Sequence, residues 1–140
     1  NHQLLGKSVL DFGSGTAILS IISAKLGAIS IDAVEIDEKV NHSALENLKI
    51  NNTISINLII GKGENIPEKK YDFILVNINR NTIIDEFKYF LKVVKNESVL
   101  ILSGFLYSDV NYISDFLKNS GLKIINSKKE NDWVVLVVKK

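Results

Sequence analysis

The chain has 140 residues, 46% of them apolar, which suits a single domain over residues 1–140 with one hydrophobic core. Its 17 Lys and Arg residues against 16 Asp and Glu leave a net charge of +1, too small for a general attraction to nucleic acid or to an anionic membrane. The sequence contains no cysteine, which excludes a disulfide framework, a thiolate metal site and a catalytic thiol.

Other features of the composition narrow the setting further. His2 and His42 are the only histidines, so no structural zinc is expected. No apolar run approaches the roughly 20 residues of a membrane-spanning helix, and no signal-peptide pattern is visible. We therefore expect a monomeric cytoplasmic protein with neither a membrane nor a direct nucleic-acid partner. Because the sequence lacks methionine and starts at Asn1, we also expect it to be a fragment of a longer protein.

The first predicted elements are a strand, a glycine turn and a helix. Ser8–Phe12 is a short apolar run of strand-forming residues, and Gly13–Thr16 is typical of a turn. From Ala17 to Leu26 apolar residues recur at helical spacing until Gly27.

The middle of the chain repeats this alternation. Ile29–Ile36 is a predicted strand, and Asp37 is placed to cap the helix that follows it. Another strand is predicted over Asn57–Ile60, followed by a polar loop from Gly61 to Lys70. The strand Tyr71–Ile78 is so continuously apolar that it must be covered on both faces.

The last part of the chain ends in a different arrangement. Ile83–Val94 and Val110–Leu117 are predicted helices on either side of a buried strand, Ser98–Leu102. Leu122–Ser127 and Trp133–Val138 are predicted strands joined by the five residues KKEND, too few for a crossover, so they form an antiparallel hairpin. Trp133 is expected to pack in the core.

The order of these elements predicts an α/β fold. Parallel strands joined by right-handed crossovers form a mostly parallel, seven-stranded sheet with helices on both faces. A dinucleotide-binding Rossmann domain normally finishes with a sixth parallel strand, whereas this sheet finishes with an antiparallel hairpin. This layout resembles the Rossmann-like fold of class I S-adenosylmethionine-dependent methyltransferases.

The residues of the first turn agree with this resemblance. A dinucleotide site needs a third glycine three residues after the second, where this chain has Ile18. The sequence instead has Asp11 followed by Gly13, giving D-F-G-S-G-T, which resembles the first methyltransferase motif. The resemblance implies that this motif binds the amino-acid part of S-adenosyl-L-methionine, with these candidate residues: Asp11, Gly13, Ser14, Gly15 and Thr16.

A second acidic residue is expected about 20 residues further on, where a carboxylate accepts both ribose hydroxyls. Glu35 is the favoured candidate, and Asp37 is the competitor, although capping a helix is a sufficient role for it. Ile36 can cover one face of the adenine. In the loop after the third strand, either Glu64 or a backbone N–H near Asn65 can meet the adenine edge.

Asn77 is the candidate catalytic residue. It lies at the end of the fourth strand, whose tip faces the transferred methyl group in this fold. Its amide oxygen can accept a hydrogen bond from an amine N–H and so aim the nitrogen lone pair, which is catalysis by orientation. The N-P-P-Y motif common in methyltransferases of exocyclic amines and amides is missing here, so flat bases and amides are less favoured substrates.

Three segments make the resemblance specific. N-I-N-R-N from Asn77, S-G-F-L from Ser103 and N-D-W-V-V-L from Asn131 are similar to segments of the PrmA family, in the same order and at matching spacing. That family trimethylates amines of the eleventh protein of the large ribosomal subunit, at the stalk base. The resemblance implies an S-adenosyl-L-methionine-dependent transfer to lysine or N-terminal amines.

Departures from the family pattern bear on the substrate side. Ser14 replaces a frequent Cys, and Asn79 and Arg80 replace Leu and Ala beside the catalytic position. Asp32 places a charge in a strand that is usually apolar. The family's N-terminal recognition domain and the segment that closes over its cofactor are both missing from these 140 residues.

Two alternatives stay open at this point. One is a class I methyltransferase of another amine, on RNA or on a small molecule, although the near-neutral charge weighs against RNA. The other is a cofactor-binding fragment with no activity of its own.

Overall fold

The computed structural model describes residues 3–140 of the chain, so His2 lies outside the described residues. It contains one seven-stranded sheet in the order β3-β2-β1-β4-β5-β7-β6. The strands are β1 (Ser8–Phe12), β2 (Ser30–Glu35), β3 (Asn57–Ile60), β4 (Tyr71–Asn77), β5 (Val94–Leu106), β6 (Lys123–Glu130) and β7 (Trp133–Lys139), and the helices are α1 (Ile18–Lys25), α2 (Glu38–Ile50), α3 (Arg80–Val93) and α4 (Val110–Asn119). All neighbouring strands pair in parallel from β3 to β5, and β7 is antiparallel to β5 and to β6.

Helices cover both faces of this sheet, which confirms the predicted fold class. Leu10 and Ile74 point to one face and pack with Phe87 of α3 and Ile113 of α4 in the larger core cluster. The alternate side chains of the same strands point to the other face and pack with Ile21 of α1 and Leu48 of α2, forming a second cluster. Because successive side chains of a strand face opposite ways, a sheet covered on both faces requires apolar residues at nearly every position.

The C-terminal hairpin is tighter than the sequence predicts. The residues Lys128, Lys129 and Glu130 pair with β7, so the connection consists of Asn131 and Asp132 alone. Asn131 has φ 53°, a left-handed conformation that asparagine tolerates better than most residues. β5 is also longer than predicted, because Val94 pairs with β4 and Leu106 pairs with β7 at its two ends.

The buried face of α1 contains two serines beside its apolar residues. Ser20 and Ser23 are buried against the sheet, whereas Ile18, Ile22 and Leu26 are 46–60% exposed. Ile21 is buried and Leu19 packs against the second core cluster, so the apolar spacing predicted the helix, and the two buried serines are what it did not indicate. The reason lies in the strand below, where a buried carboxylate requires the Ser20 hydroxyl.

A polar network crosses the core between β2 and β4. The Asp32 carboxylate is buried and accepts hydrogen bonds from Tyr71 Oη at 2.8 Å and from Asn57 Nδ2 at 2.7 Å, and Lys69 Nζ lies 2.6 Å from it. Burial alone would raise the pKa of Asp32, but these three partners hold it below its ordinary value. The charge in β2 is therefore fully paired.

Residues 3–140 contain neither a candidate membrane span nor a candidate metal site. No helix in this range is long and apolar enough to cross a membrane. No group of three His, Cys, Asp or Glu side chains in the same range is arranged to hold a metal ion.

Candidate active site

The glycine turn between β1 and α1 forms the base of the candidate site. The Gly13 and Ser14 amides both donate to the Val34 carbonyl, at 2.9 and 3.1 Å, which ties the turn to the end of β2. Gly13 and Gly15 have φ 71° and 54°, in the left-handed region that glycine adopts without strain. A Cβ on Gly13 would collide with Ile78, whereas the space over Gly15 is open, so the backbone there is accessible to a ligand.

Ala17 closes the turn in a conformation that the sequence did not predict. It is completely buried and has φ 66°, although its Cβ makes this region unfavourable by about 1–2 kcal/mol. The sequence offered one indication of this conformation: residues 13, 15 and 17 all have positive φ, so Ala17 continues the spacing of the two glycines. The chain therefore retains an alanine in a conformation that glycine adopts without steric strain.

Asp11 lies directly below the turn and is 1% exposed. Its Oδ2 accepts a hydrogen bond from Ser20 Oγ at 2.6 Å, and its Oδ1 has no partner. Burial raises the pKa of Asp11 to about 6, against the lowering effect of the Ser20 hydrogen bonds. The Ser14 hydroxyl, three residues later, is also buried without a partner. Buried oxygens without a protein partner indicate places that water or a polar ligand completes.

Glu35 and Asp37, the two candidate acids after β2, have different contacts. Glu35 accepts from the Gly15 amide at 2.9 Å through Oε2 and from the Asp37 amide at 3.0 Å through Oε1. The Asp37 carboxylate instead accepts from the Lys39 and Val40 amides at 2.8 and 3.4 Å, and so caps α2. Glu35 holds the glycine turn and keeps unused acceptor positions, because a carboxylate can accept about four hydrogen bonds.

A first cleft of about 560 Å³ opens above the ends of the central strands. It is bordered by β1, β2, β4, the loop after β3 and the first turns of α3. Its lining residues are Phe12, Gly13, Val34, Glu35, Ile36, Gly61, Lys62, Asn77, Ile78, Asn79, Thr82, Asp85 and Glu86. Four predicted cofactor-site residues, Gly13, Glu35, Ile36 and Asn77, thus share one cleft, and Ile36 presents a 60% exposed side chain to it.

The other predicted residues lie outside this lining. Asp11 and Ser14 are buried, and Gly15 and Thr16 belong to the glycine turn without lining the cleft. Glu64 lines a separate cavity, beside Lys69 and Tyr89, on the far side of the loop.

The loop after β3 presents Lys62, and not Glu64, to the first cleft. The Asn65 amide donates to the Lys62 carbonyl at 2.9 Å, and the Asn65 side chain accepts from the Lys62 amide at 2.9 Å. Glu86 on α3 accepts from the Gly63 amide at 2.8 Å and so fixes the loop from the other side. Sequence reasoning missed Lys62, Thr82, Asp85 and Glu86 because contacts between a loop and a helix about 20 residues later leave no local pattern.

Asn77 ends β4 and is held by the neighbouring strand. Its Oδ1 accepts a hydrogen bond from Ser103 Oγ at 3.1 Å, and the next amide, Ile78 N, donates to the Ser103 carbonyl at 3.1 Å. Gly104, with φ 88°, packs so close that a Cβ would lie 2.7 Å from Ile78 N and 2.9 Å from Asn77 Oδ1. Ser103 and Gly104 together fix the position of the Asn77 amide.

The two residues that depart from the family pattern beside Asn77 have structural contacts. The Asn79 side chain accepts from the Thr82 amide at 3.0 Å and caps α3. Arg80 forms an ion pair with Asp109 at 3.0 Å, which links the start of α3 to the turn after β5.

A second cleft of about 540 Å³ lies on the opposite side of Asn77. It shares Asn77, Ile78 and Asn79 with the first cleft and continues to the C-terminal hairpin, where its lining includes Lys128, Glu130 and Trp133. Trp133 is 58% exposed, so its predicted place in the core is wrong. As the first residue of β7 it lies beyond the helices that cover the sheet, and only the following alternate residues, from Val134 on, reach the core. The segment Asn77–Asn79 is a wall with one cleft on each side.

Comparison with known proteins gives one family. The family model of the ribosomal protein L11 methyltransferase (PrmA) matches residues 1–140. A ribosomal protein L11 methyltransferase of Porphyromonas gingivalis is 34% identical over 135 residues, covering 96% of this chain and 47% of that protein. A protein of the same description from Ruminiclostridium cellulolyticum is 37% identical over 134 residues, covering 94% of this chain and 42% of that protein.

A solved structure shows the same likeness. The ribosomal protein L11 methylase of Lactobacillus delbrueckii subsp. bulgaricus superposes with a TM-score of 0.94 at 25% identity, covering 99% of this chain and 72% of that one. The chain spans about half the length of the curated relatives that it matches.

Proposed function

The chain belongs to the PrmA family of ribosomal protein L11 methyltransferases, and from this we propose that it transfers methyl groups from S-adenosyl-L-methionine to amino groups of the homologous ribosomal protein. The observation that carries the proposal is that Glu35 and Asn77 share one cleft, which begins at the glycine turn. The substrate that we propose is the large-subunit protein at the stalk base, met by a monomeric enzyme in the cytoplasm. Lysine or N-terminal amines are the acceptors.

The residues present fit S-adenosyl-L-methionine. The open backbone at Gly15 suits the approach of its charged amino-acid end, and the buried Asp11 and Ser14 act on that end across the turn rather than by direct contact. Glu35 has acceptor positions left for two ribose hydroxyls, and Ile36 is exposed where it can cover the adenine. The cofactor would supply a methyl group on a positive sulfonium.

Thr16 and Glu64 have weaker support as cofactor ligands. Thr16 completes the turn, and its carbonyl accepts from Asn47 Nδ2 at 3.0 Å. Glu64 lines a different cavity, so Lys62 is the better candidate in the loop after β3.

Asn77 orients the acceptor amine in this proposal. One lone pair of its Oδ1 is taken by Ser103, which leaves the other to accept an amine N–H. Holding the nitrogen in one orientation lowers the entropic part of the barrier without proton transfer by the side chain.

The amine must also lose its proton before it can attack the methyl group. A lysine of pKa about 10.4 is almost fully protonated at pH 7, so making it neutral costs about 4–5 kcal/mol. Asp11 has a pKa of about 6 but is buried under the turn, outside the lining of both clefts, so it does not act as the base. Desolvation of the amine beside the positive sulfonium favours its neutral form.

Isothermal titration with S-adenosyl-L-methionine tests the cofactor part. We expect Glu35→Gln to weaken binding by at least about tenfold, because two charge-assisted hydrogen bonds to ribose become neutral ones. Asp37→Asn is the matched control: asparagine caps helices as well as aspartate does, so binding should hold. Equal weakening by both variants would contradict the role given to Glu35.

Labelled cofactor and the purified ribosomal protein test the transfer. Asn77→Ala should reduce turnover strongly while cofactor affinity changes little, because the lost contact is to the acceptor amine. Equal loss of both would make Asn77 a cofactor ligand only.

The share of its relatives that the chain spans favours one second candidate. Since the chain spans about half of its relatives, it can be a cofactor-binding module that needs the rest of the protein for transfer. Cofactor binding without transfer by these 140 residues would support this candidate, and no cofactor binding at all would refute both.

A further inference from the structure

We propose that the second cleft recognises methylated ammonium groups, with the Trp133 indole and the Glu130 carboxylate as its recognition elements. This inference rests on the proposed function, since it assigns to the acceptor side of the same site the binding of partly and fully methylated amines. Asn77 is common to both clefts, so a group bound near Trp133 lies on the side of Asn77 that faces away from the glycine turn.

Trp133 differs from the tyrosines of the chain in having no cationic side chain over its ring within residues 3–140. All four tyrosines have a Lys or Arg of the chain over their rings, with the charge 4.0–5.3 Å from the ring centre. Within residues 3–140, no cation of the chain lies over Trp133, although indole is the strongest cation–π partner among side chains. A 58% exposed tryptophan in a cleft is therefore available to a cation from another molecule.

Charge in the cleft is arranged to place that cation beside Trp133. Glu130 and Trp133 are direct cross-strand partners at the turn end of the hairpin. Lys128 lines the same cleft, two residues earlier on β6, where it pairs with Val135. The negative charge is thus directly opposite the indole, and the positive charge of Lys128 is two cross-strand pairs further along the hairpin.

Asn77 and Trp133 recognise the acceptor nitrogen by different chemical properties. The contact with Asn77 requires an N–H, and each methylation removes one. A cation–π contact requires only positive charge, so it survives all three methylations. Trp133 therefore retains the partly methylated amine between turnovers, and it affects the degree of methylation more than the first transfer.

Fluorescence tests the binding without any methyl transfer. Trp133 is the only tryptophan of the chain, so a change in tryptophan emission reports on this cleft. Choline should change the emission saturably, and its uncharged isostere 3,3-dimethylbutan-1-ol should bind at least about fivefold more weakly, as expected for a cation–π contact of moderate strength. Equal responses to both probes, or no response to choline, would overturn the proposal.

Variants separate the contribution of Glu130 from a general charge effect. Glu130→Gln should weaken choline binding several-fold, and Lys128→Gln should strengthen it. Glu97→Gln, which removes the same charge beside Lys95 at the opposite end of the sheet, is the matched control and should leave binding unchanged. If Glu97→Gln weakens binding as much as Glu130→Gln, the cleft has no specific cation site.

The methylated products test the catalytic consequence. With the ribosomal protein in excess over enzyme, mass spectrometry should show that Trp133→Leu shifts products from trimethylated towards mono- and dimethylated forms, while Trp133→Phe keeps mostly trimethylated product. The same product distribution for both variants and the wild type would overturn the role of Trp133. A wild-type chain that binds choline and transfers no methyl group would instead count against the proposed function, so the two failures are distinguishable.

Discussion

Gly104 gives a quantitative test of how the candidate catalytic asparagine is held. It has φ 88°, and a Cβ at this position would lie 2.7 Å from Ile78 N, 2.8 Å from Ile78 O and 2.9 Å from Asn77 Oδ1. Gly104→Ala therefore carries two costs. The left-handed backbone costs about 1–2 kcal/mol for a residue with a Cβ, and overpacking against atoms that cannot turn away costs about 1–3 kcal/mol more. Alanine also restricts the unfolded chain, which offsets about 0.4–1 kcal/mol.

Gly121 provides the matched control, because its φ is 76° and a Cβ added there would have no atom within 4 Å. Gly121→Ala should cost about 1 kcal/mol or less from the backbone alone, and Gly104→Ala about 2–4 kcal/mol. Urea denaturation measures both, and the difference corresponds to a melting-temperature gap of several degrees, at roughly 3 °C per kcal/mol for a domain of this size. Equal losses would mean that the loop after β4 yields freely, which would refute the tight placement of Asn77.

Substitutions at three further residues test polar contacts, two of which, at Asp11 and Tyr71, are buried. Asp11→Asn removes a carboxyl whose folded pKa of about 6 exceeds its unfolded value, so the wild type loses stability as pH rises from about 4 to 6. The variant should lose this slope and be more stable by about 1–3 kcal/mol near neutral pH, measured by urea denaturation across that range. Tyr71→Phe removes a donor to Asp32 and should cost about 1.5–3 kcal/mol. Because the pKa of Asp32 is lowered in the folded state, the cost is present above its unfolded pKa and disappears as pH falls through the folded one. Ser103→Ala should reduce turnover about fivefold, the equivalent of one hydrogen bond to Asn77, and leave cofactor affinity unchanged, whereas Ser103→Thr keeps the hydroxyl and most of the rate.

The fold was predictable from the sequence because its signals are local. Alternating strands and helices, followed by a connection too short for a crossover, lead to five parallel strands and a terminal hairpin. The structure confirms these strands and the hairpin, and it adds the strand order, with β7 between β5 and β6. Strand ends were less accurate, as at Val94 and Leu106, since pairing with a distant strand extends β5 beyond its apolar centre.

The sequence alone could assign candidate-site residues only where one residue type has one plausible role. The acids Glu35 and Asp37 competed for one role because Glu35 ends β2 and Asp37 follows two residues later. The structure confirms the predicted helix cap by Asp37, which leaves Glu35 as the candidate for the ribose. The burial of Ser20 on α1 was not predictable, because its hydroxyl donates to Asp11 on another element. The exposure of Trp133 depends likewise on where the covering helices end.

The edges of the sheet explain how so apolar a set of strands avoids pairing with other molecules. One edge, β3, is only four residues long, which offers little length to a foreign strand. The other edge, β6, has the sequence KIINSKKE, with three lysines, a glutamate and an irregularity in its pairing between Ile124 and Asn126. Bringing a second sheet against β6 would place like charges together and would require the strand to straighten. The polar strand at this edge thus protects the protein from polymerising into fibrils through its own backbone.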